Sequence, residues 1–489
     1  MSSMWSTSGR GAACCAPTIG RLFLVVLFFL VLALWLPVSG LPASAQGGPT
    51  PTPRPLYALP DPNTVRVSQG GAIVLAANQR YLVTANAFTG TASVVDIYPR
   101  TVVAEIPVGE EPRALVVSPD QQWFAVTDFG GGTVSLVDLN TFSLLATIPV
   151  GGQPWGVVTD GVRLYVALSG QDAVAEVDVS ARQVVRLISV PPKPAGLALW
   201  GDFLYVTHFD TGALTLVYLP TGVVAGTTRG VQDANLSPAL WLDPFDGVAY
   251  LPATRANAAN PALTFDSTAW PVVNVFPLRD LTSSRARRIA LDVADRPVNL
   301  PWDATLDRAR RWLWVVNAGS NDVSVIDLAT GFARAHIPVG ANPRGITRFA
   351  DGSTLFVYNA LDGTVSVIEA ASLQVTDVIQ ATHLEMPIDL LIGAQLFYGS
   401  VDGRLSEDRR LSCATCHFDG GSDGRRWEGW PGGPRRTPDL RELDGEIDPL
   451  WLDTHIRAVQ YGSGLFDASG EPSPDLDALI AYLRTLPTE

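Results

Sequence analysis

The chain is poor in the side chains that hold metals and carry positive charge. It has four cysteines, three methionines and five histidines in 489 residues. Five imidazoles are too few for a multi-copper cluster. Met1, Met4, Cys14 and Cys15 all precede or border an apolar run at residues 22–36, which follows Arg10 and Arg21 and ends before Ala43-Ser44-Ala45. A charged start, an apolar run and a small-residue site form the pattern of a secretory signal. The run is short for a bilayer span. The expectation is therefore an exported chain, periplasmic or at the cell surface, with no membrane span after cleavage of residues 1–45; a retained anchor is the alternative. Trimming leaves Cys413 and Cys416 as the only thiols and Met386 as the only thioether. Lysine is represented by Lys193 alone, and the formal net charge is −14. An acidic surface disfavours nucleic acid and anionic membranes and favours a basic redox partner.

The two remaining thiols stand in Cys413-Ala414-Thr415-Cys416-His417. A Cys-x-x-Cys-His run is the signature of covalent haem attachment. Thiols three residues apart can each add to a vinyl group of one porphyrin, and the following imidazole reaches the iron. A redox pair or half a zinc site are the alternatives. No later Cys supplies the other half of a zinc site, and a redox pair gives no role to His417. One covalently attached haem c is expected, held by Cys413 and Cys416 with His417 as iron ligand. Its assembly outside the cytoplasm agrees with the export pattern.

Residues 46–63 are rich in Pro and Thr and read as an extended linker. A repeat follows. Ser93-Val94-Val95-Asp96, Ser135-Leu136-Val137-Asp138 and Ala175-Glu176-Val177-Asp178 recur 40–42 residues apart. The phrase returns at Leu214-Thr215-Leu216-Val217, Ser324-Val325-Ile326-Asp327 and Ser366-Val367-Ile368-Glu369. A second phrase, Ile-Pro-Val-Gly followed by Pro, begins at Ile106, Ile148 and Ile337. A period near 40 with several alternating strands per unit marks a β-propeller blade. Residues 273–276 supply a missing strand in an irregular fifth unit, with 253–270 as an insertion. The count is seven blades over 64–382, with six or eight as alternatives. Within the array, His208 follows a strand and reads as a buried core residue. A haem d1 site would want propeller histidines, and no repeated tryptophan phrase for a quinone cofactor is present. Trp155, Trp200, Trp241 and Trp302 near blade starts read as packing residues. Residues 315–327 and 337–345 resemble the YVTN family of propeller repeats. That resemblance implies a seven-bladed, often extracytoplasmic ring with no single activity.

From Met386 the pattern becomes helical, giving a small all-α domain at 383–489. Pro387 starts one helix, and Ser473 with Pro474 caps another whose Leu476, Leu479, Ile480 and Leu483 share a face. Gly393, Phe397 and Tyr482 look like the trio at which the first and last helices of cytochromes c cross. Residues 390–466, with Gly393-x-x-Leu396-Phe397, the haem motif and Arg436-Thr437-Pro438, resemble the di-haem cytochrome c peroxidases and their relatives. The chain departs from them in lacking a second haem motif and a Glu-Met pair. For the sixth iron ligand, no Met follows Cys416, and Met386 would have to fold back. His455 lies on an apolar helical stripe with Trp451, Leu452, Ile456 and Val459 and is the candidate, a core His being the alternative. Arg425, Arg426, Arg435 and Arg436 could pair with haem propionates or simply be solvated; Arg436 is preferred. The expected fold is mainly β, a seven-bladed β-propeller followed by a small all-α cytochrome c domain. The expected function is electron transfer by one haem c, with the propeller docking a redox partner protein. A peroxidase-like enzyme, or a surface-binding propeller in which haem is minor, are the alternatives.

Overall fold

The computed structural model describes residues 58–486 except 229–232, 262–268, 280, 282–286, 293–295, 431–432, 443–446, 460–461 and 468. The signal expected over 1–45 lies outside them. Seven antiparallel sheets follow one another along the chain. Their innermost strands begin at Ile73, Pro112, Pro154, Pro194, Ala234, Pro301 and Pro343, and the last sheet ends at Gln380. The ring therefore has seven blades, and the propeller expectation holds.

Burial explains why the chain builds blades. The second and third strands of a regular blade, such as Tyr81–Asn86 and Thr91–Asp96, are buried along almost their whole length. Each is covered on both faces by neighbouring blades. The fourth strands alternate instead; Gln374–Gln380 reads exposed and covered by turns. Such a strand has one face in water. Five of the second strands end in a polar clasp. Asn86 donates to Thr91 and Ser93 at 2.9 and 2.7 Å. Asn317 donates to Asp322 and Ser324, and Asn359 to Thr364 and Ser366. Asp128 accepts from Thr133 and Ser135. In the fourth blade the same slot holds His208, whose Nε2 meets the Thr215 hydroxyl at 2.7 Å and Nδ1 the Pro192 carbonyl at 2.9 Å. Both ring nitrogens are satisfied, so the core reading of His208 is correct.

Of the linker expected over 46–63, residues 46–57 lie outside the described ones; at its end Leu59, and beyond it Val65, pack on the core of the fourth and fifth blades. Beyond it, Val67–Gln69 pairs with Pro194–Trp200 and occupies the central channel. Ser68 accepts from the Thr159 N–H, Gln69 accepts from the Leu242 N–H, and Gly71 bridges to Leu115. A Cβ on Gly70 would stand 2.4 Å from the Val157 carbonyl, so only glycine passes there. The insertion proposed at 253–270 is in part a hairpin. Val248–Ala256 and Ala269–Pro277 pair continuously, with Arg255 opposite Trp270. The long pairing buries both flanks, and the inner edge of this blade is split into Ala234–Asn235 and Trp241–Asp243.

After the last blade come three helices, Ile388–Tyr398, Pro449–Val459 and Pro474–Leu483. The first and third cross at Gly393, where a Cβ would lie 2.1 Å from the Ala478 carbonyl oxygen and 2.6 Å from the Tyr482 Cβ. Phe397 packs on Tyr482 with centroids 5.5 Å apart. Ser473 caps the third helix by accepting from the Leu476 N–H. Among the described residues no helix is long and apolar enough to cross a membrane.

Candidate functional site

The Cys-x-x-Cys-His segment is a 3₁₀ turn, Cys413–Thr415, fixed at both ends. Ser412 and Thr415 cap it reciprocally, each side chain serving the other's backbone. The propeller then grips the turn through Asn299, which lies just before the sixth blade. The Asn299 amide donates to the Arg410 carbonyl at 2.6 Å and to the Thr415 hydroxyl at 3.0 Å, while its oxygen accepts from Ser412 at 3.1 Å. The His417 N–H closes onto the Cys413 carbonyl at 2.8 Å. His417 is buried, and its Nδ1 lies 3.3 Å from the Gly421 carbonyl. A proton on Nδ1 leaves Nε2 as the nitrogen able to ligate.

Both thiols and His417 face an apolar crevice. A part of about 220 Å³ is lined by Cys413, His417, Trp430, Arg436, Trp451 and His455, among others. A smaller neighbouring pocket shares Cys413, His417, Trp430 and His455 and adds Cys416 and Trp427. The structure thus brings Cys413, Cys416, His417, His455 and Arg436 to one place. His455 comes from the Pro449–Val459 helix and is flanked by Trp430 and Trp451, with centroids at 5.1 and 5.6 Å. Burial lowers the His455 pKa to about 4; burial, and then the nearby His455, lower that of His417 to about 4. Both imidazoles are neutral at pH 7, as iron ligation requires. Arg435 and Arg436 stand exposed at the crevice edge, in a two-stranded ribbon with Arg426 and Trp427. Arg425 instead donates to the Ala234 carbonyl of the propeller at 3.0 Å. Met386 lies in the linker before the first helix and lines neither pocket.

The residue after His417 is buried in the propeller mouth. Phe418 stacks on Trp302 with centroids 4.6 Å apart and packs on Phe209 at 5.4 Å and Trp155 at 6.4 Å. Asp419 receives Arg113 at 2.6 Å and the Tyr398 hydroxyl at 2.7 Å, with Arg344 at 4.0 Å. Trp155 and Trp302, expected to be packing residues, form the floor under this turn. Asn299, Arg113, Arg344, Phe418 and Asp419 were not singled out by the sequence. A signal exists. Arg113, Trp155, Ala195, Trp302 and Arg344 each follow the proline that opens an inner strand. The repeat varies in side chain at the position that faces the helical domain.

Residues 66–178 match the family described as the cytochrome D1 heme domain. The match runs from the channel strand through the third strand of the third blade. Among solved structures, Kuenenia stuttgartiensis hydrazine synthase is similar with a TM-score of 0.55 at 18% identity, covering 67% of this chain and 99% of that one. The dihydro-heme d1 dehydrogenase NirN in complex with DHE gives a TM-score of 0.44 at 16% identity, covering 68% and 76%. No curated protein matches the chain. The ring thus shares its propeller fold with hydrazine synthase, and residues 66–178 match a family described by a haem domain.

Which haem the residues fit is decided locally. For haem d1 in the ring, no histidine lines the mouth cavities among the described residues, and His208 is committed to its clasp. Phe418 and its aromatic neighbours occupy part of the mouth, and a cavity of about 310 Å³ lined by Phe129, Trp155, Phe209 and Phe418 remains beside them. The crevice of the helical domain does fit haem c. It offers two thiols on one turn, an imidazole with an outward nitrogen, a second imidazole, and apolar walls. Burial holds the Cys416 pKa well above its ordinary value, which suits a neutral thioether better than a thiolate on zinc. Among the described residues no group of three or more His, Cys, Asp or Glu is placed to hold a metal ion.

Proposed function

We propose that the chain is an exported monohaem c-type cytochrome that transfers electrons, its small helical domain seated on the propeller mouth. The supporting observation is the convergence of Cys413, Cys416, His417 and His455 on one apolar crevice. Cys413 and Cys416 would anchor the porphyrin, His417 and His455 would ligate the iron, and Arg436 would pair with a propionate. When bound, haem c supplies a one-electron couple; two imidazoles set a lower potential than a His/Met pair. The Trp430 and Trp451 rings pack against the His455 ring and hold it in place. The arrangement of charged, apolar and small residues in 1–45 supports export.

A redox partner protein remains part of this reading, at a different surface from the one expected. Phe418 and the helical domain take up part of the mouth, and the partner meets the crevice edge, where Leu450 and Trp451 are 63% and 48% exposed. The experiment is the absorption spectrum of protein made with a haem-attachment system. The reading predicts a low-spin spectrum that His455→Ala converts to high spin. A high-spin spectrum unaffected by that change, together with turnover of peroxide, would instead establish the peroxidase-like enzyme.

A further inference from the structure

The mouth of the ring does more than cover the helical domain's underside. The path runs from two arginines to the His417 imidazole. Arg113, from the second blade, and Arg344, from the seventh, flank the turn that follows His417. The Arg113 guanidinium carbon lies 3.3 and 4.4 Å from the Phe129 and Trp155 centroids. That of Arg344 lies 4.4 Å from Trp302 and 4.9 Å from both Tyr398 and Phe418. Stacking of this kind fixes a guanidinium in direction as well as place. Their shared target, Asp419, has φ of 49°, a left-handed conformation in which a non-glycine residue needs support. Arg113 and the Tyr398 hydroxyl give it that support at 2.6 and 2.7 Å. Asp419 lies between His417 and Gly421, whose carbonyl meets the imidazole Nδ1. Fixing Asp419 therefore fixes the carbonyl that orients the ring.

We propose that Arg113 and Arg344 are positioning residues for the His417 imidazole, so that the propeller sets both the orientation and the electrostatic surroundings of the haem. This rests on the reading of His417 as the iron ligand. The charges act in one direction. Without Arg113, the Asp419 carboxylate keeps the Tyr398 hydroxyl and, as a cation, Arg344 at the longer distance of 4.0 Å. Less compensated negative charge near the iron favours the ferric state.

The test compares Arg113→Gln, Arg113→Lys and, as a rim control, Arg100→Gln, which loses an ion pair with Asp377 between the first and last blades. The reduction potential of the haem-loaded protein is read first. Arg113→Gln is expected to lower it, Arg113→Lys to restore most of the shift, and Arg100→Gln to leave it unchanged. Amide exchange of the segment 413–421 is read second, in protein with or without haem. Arg113→Gln should speed it roughly ten- to a hundred-fold, the loss of one charge-assisted hydrogen bond. An unchanged potential, or a lysine variant no better than glutamine, overturns the electrostatic part. Unchanged exchange overturns the positioning part, and it does so even if haem never attaches, an outcome that would remove the proposed function instead.

Discussion

Replacing Phe418 by alanine separates the seat of the turn from its folding. The side chain is 8% exposed and packs on Trp302, Phe209, Trp155 and Tyr398. Truncating a buried Phe costs about 3–5 kcal/mol, transfer and cavity terms together. The close stack on Trp302, 27° from parallel, adds a preference already within that range. Most of the loss falls on the docked state, because Ser412, Thr415 and Cys413 keep the turn's own hydrogen bonds. At about 1.4 kcal/mol per tenfold, local opening becomes roughly a hundred- to a few thousand-fold more frequent. Hydrogen exchange followed by peptide mass spectrometry reads this directly. Segments 399–421 should lose protection by that factor while the blade strands Tyr81–Asn86 and Thr354–Asn359 keep theirs. Equal loss in the blades would mean that Phe418 supports the whole ring. Unchanged protection in 399–421 would mean that it seats nothing, and the docking argument would fail.

Asn299→Ala removes the hydrogen bonds to Arg410, Ser412 and Thr415 that hold the Cys-x-x-Cys-His segment and should cost about 1–3 kcal/mol, read as a lower denaturation midpoint. Gly393→Val should splay the helix crossing by more than the usual ~1–3 kcal/mol of overpacking, since backbone lies in the way; helical loss with intact sheet signal in circular dichroism would show it. Asp303, buried in an inner strand beside the channel, has its pKa raised to about 7 by burial. The folded state then binds more protons than the unfolded one between about pH 4 and 7, so this residue's contribution to stability falls as pH rises through that window and is flat above it. Its size is at most about 4 kcal/mol, from roughly three pKa units at 1.36 kcal/mol each. Urea unfolding at pH 5 and pH 8 should show the decline, and Asp303→Asn should flatten it.

The ring was legible because a blade's needs are repetitive. Two-sided burial wrote the same Ser-Val-Val-Asp-like phrase into most third strands, and five of the inner strands open on a proline. The channel strand was not legible, since Val67–Gln69 is too short for a pattern and its partner lies far along the chain at Pro194–Trp200. The fifth blade hid its strands for another reason: its hairpin lengthened beyond the period. At the site, Cys413, Cys416 and His417 announced themselves because spacing on one turn is local. His455 came from elimination. Asn299, Arg113 and Arg344 act across the interface between ring and helices, and no local pattern carries that. The trace of the two arginines was variation at the residue after a repeated proline, where Arg, Trp, Ala, Trp and Arg replace one another.

The most direct measurement is mass spectrometry of peptides from denatured, solvent-extracted protein made with a haem-attachment system. The account predicts a haem-bearing peptide containing Cys413 and Cys416, still showing a Soret band after extraction. Full incorporation conditions with both cysteines recovered as free thiols and no absorbance retained would contradict it.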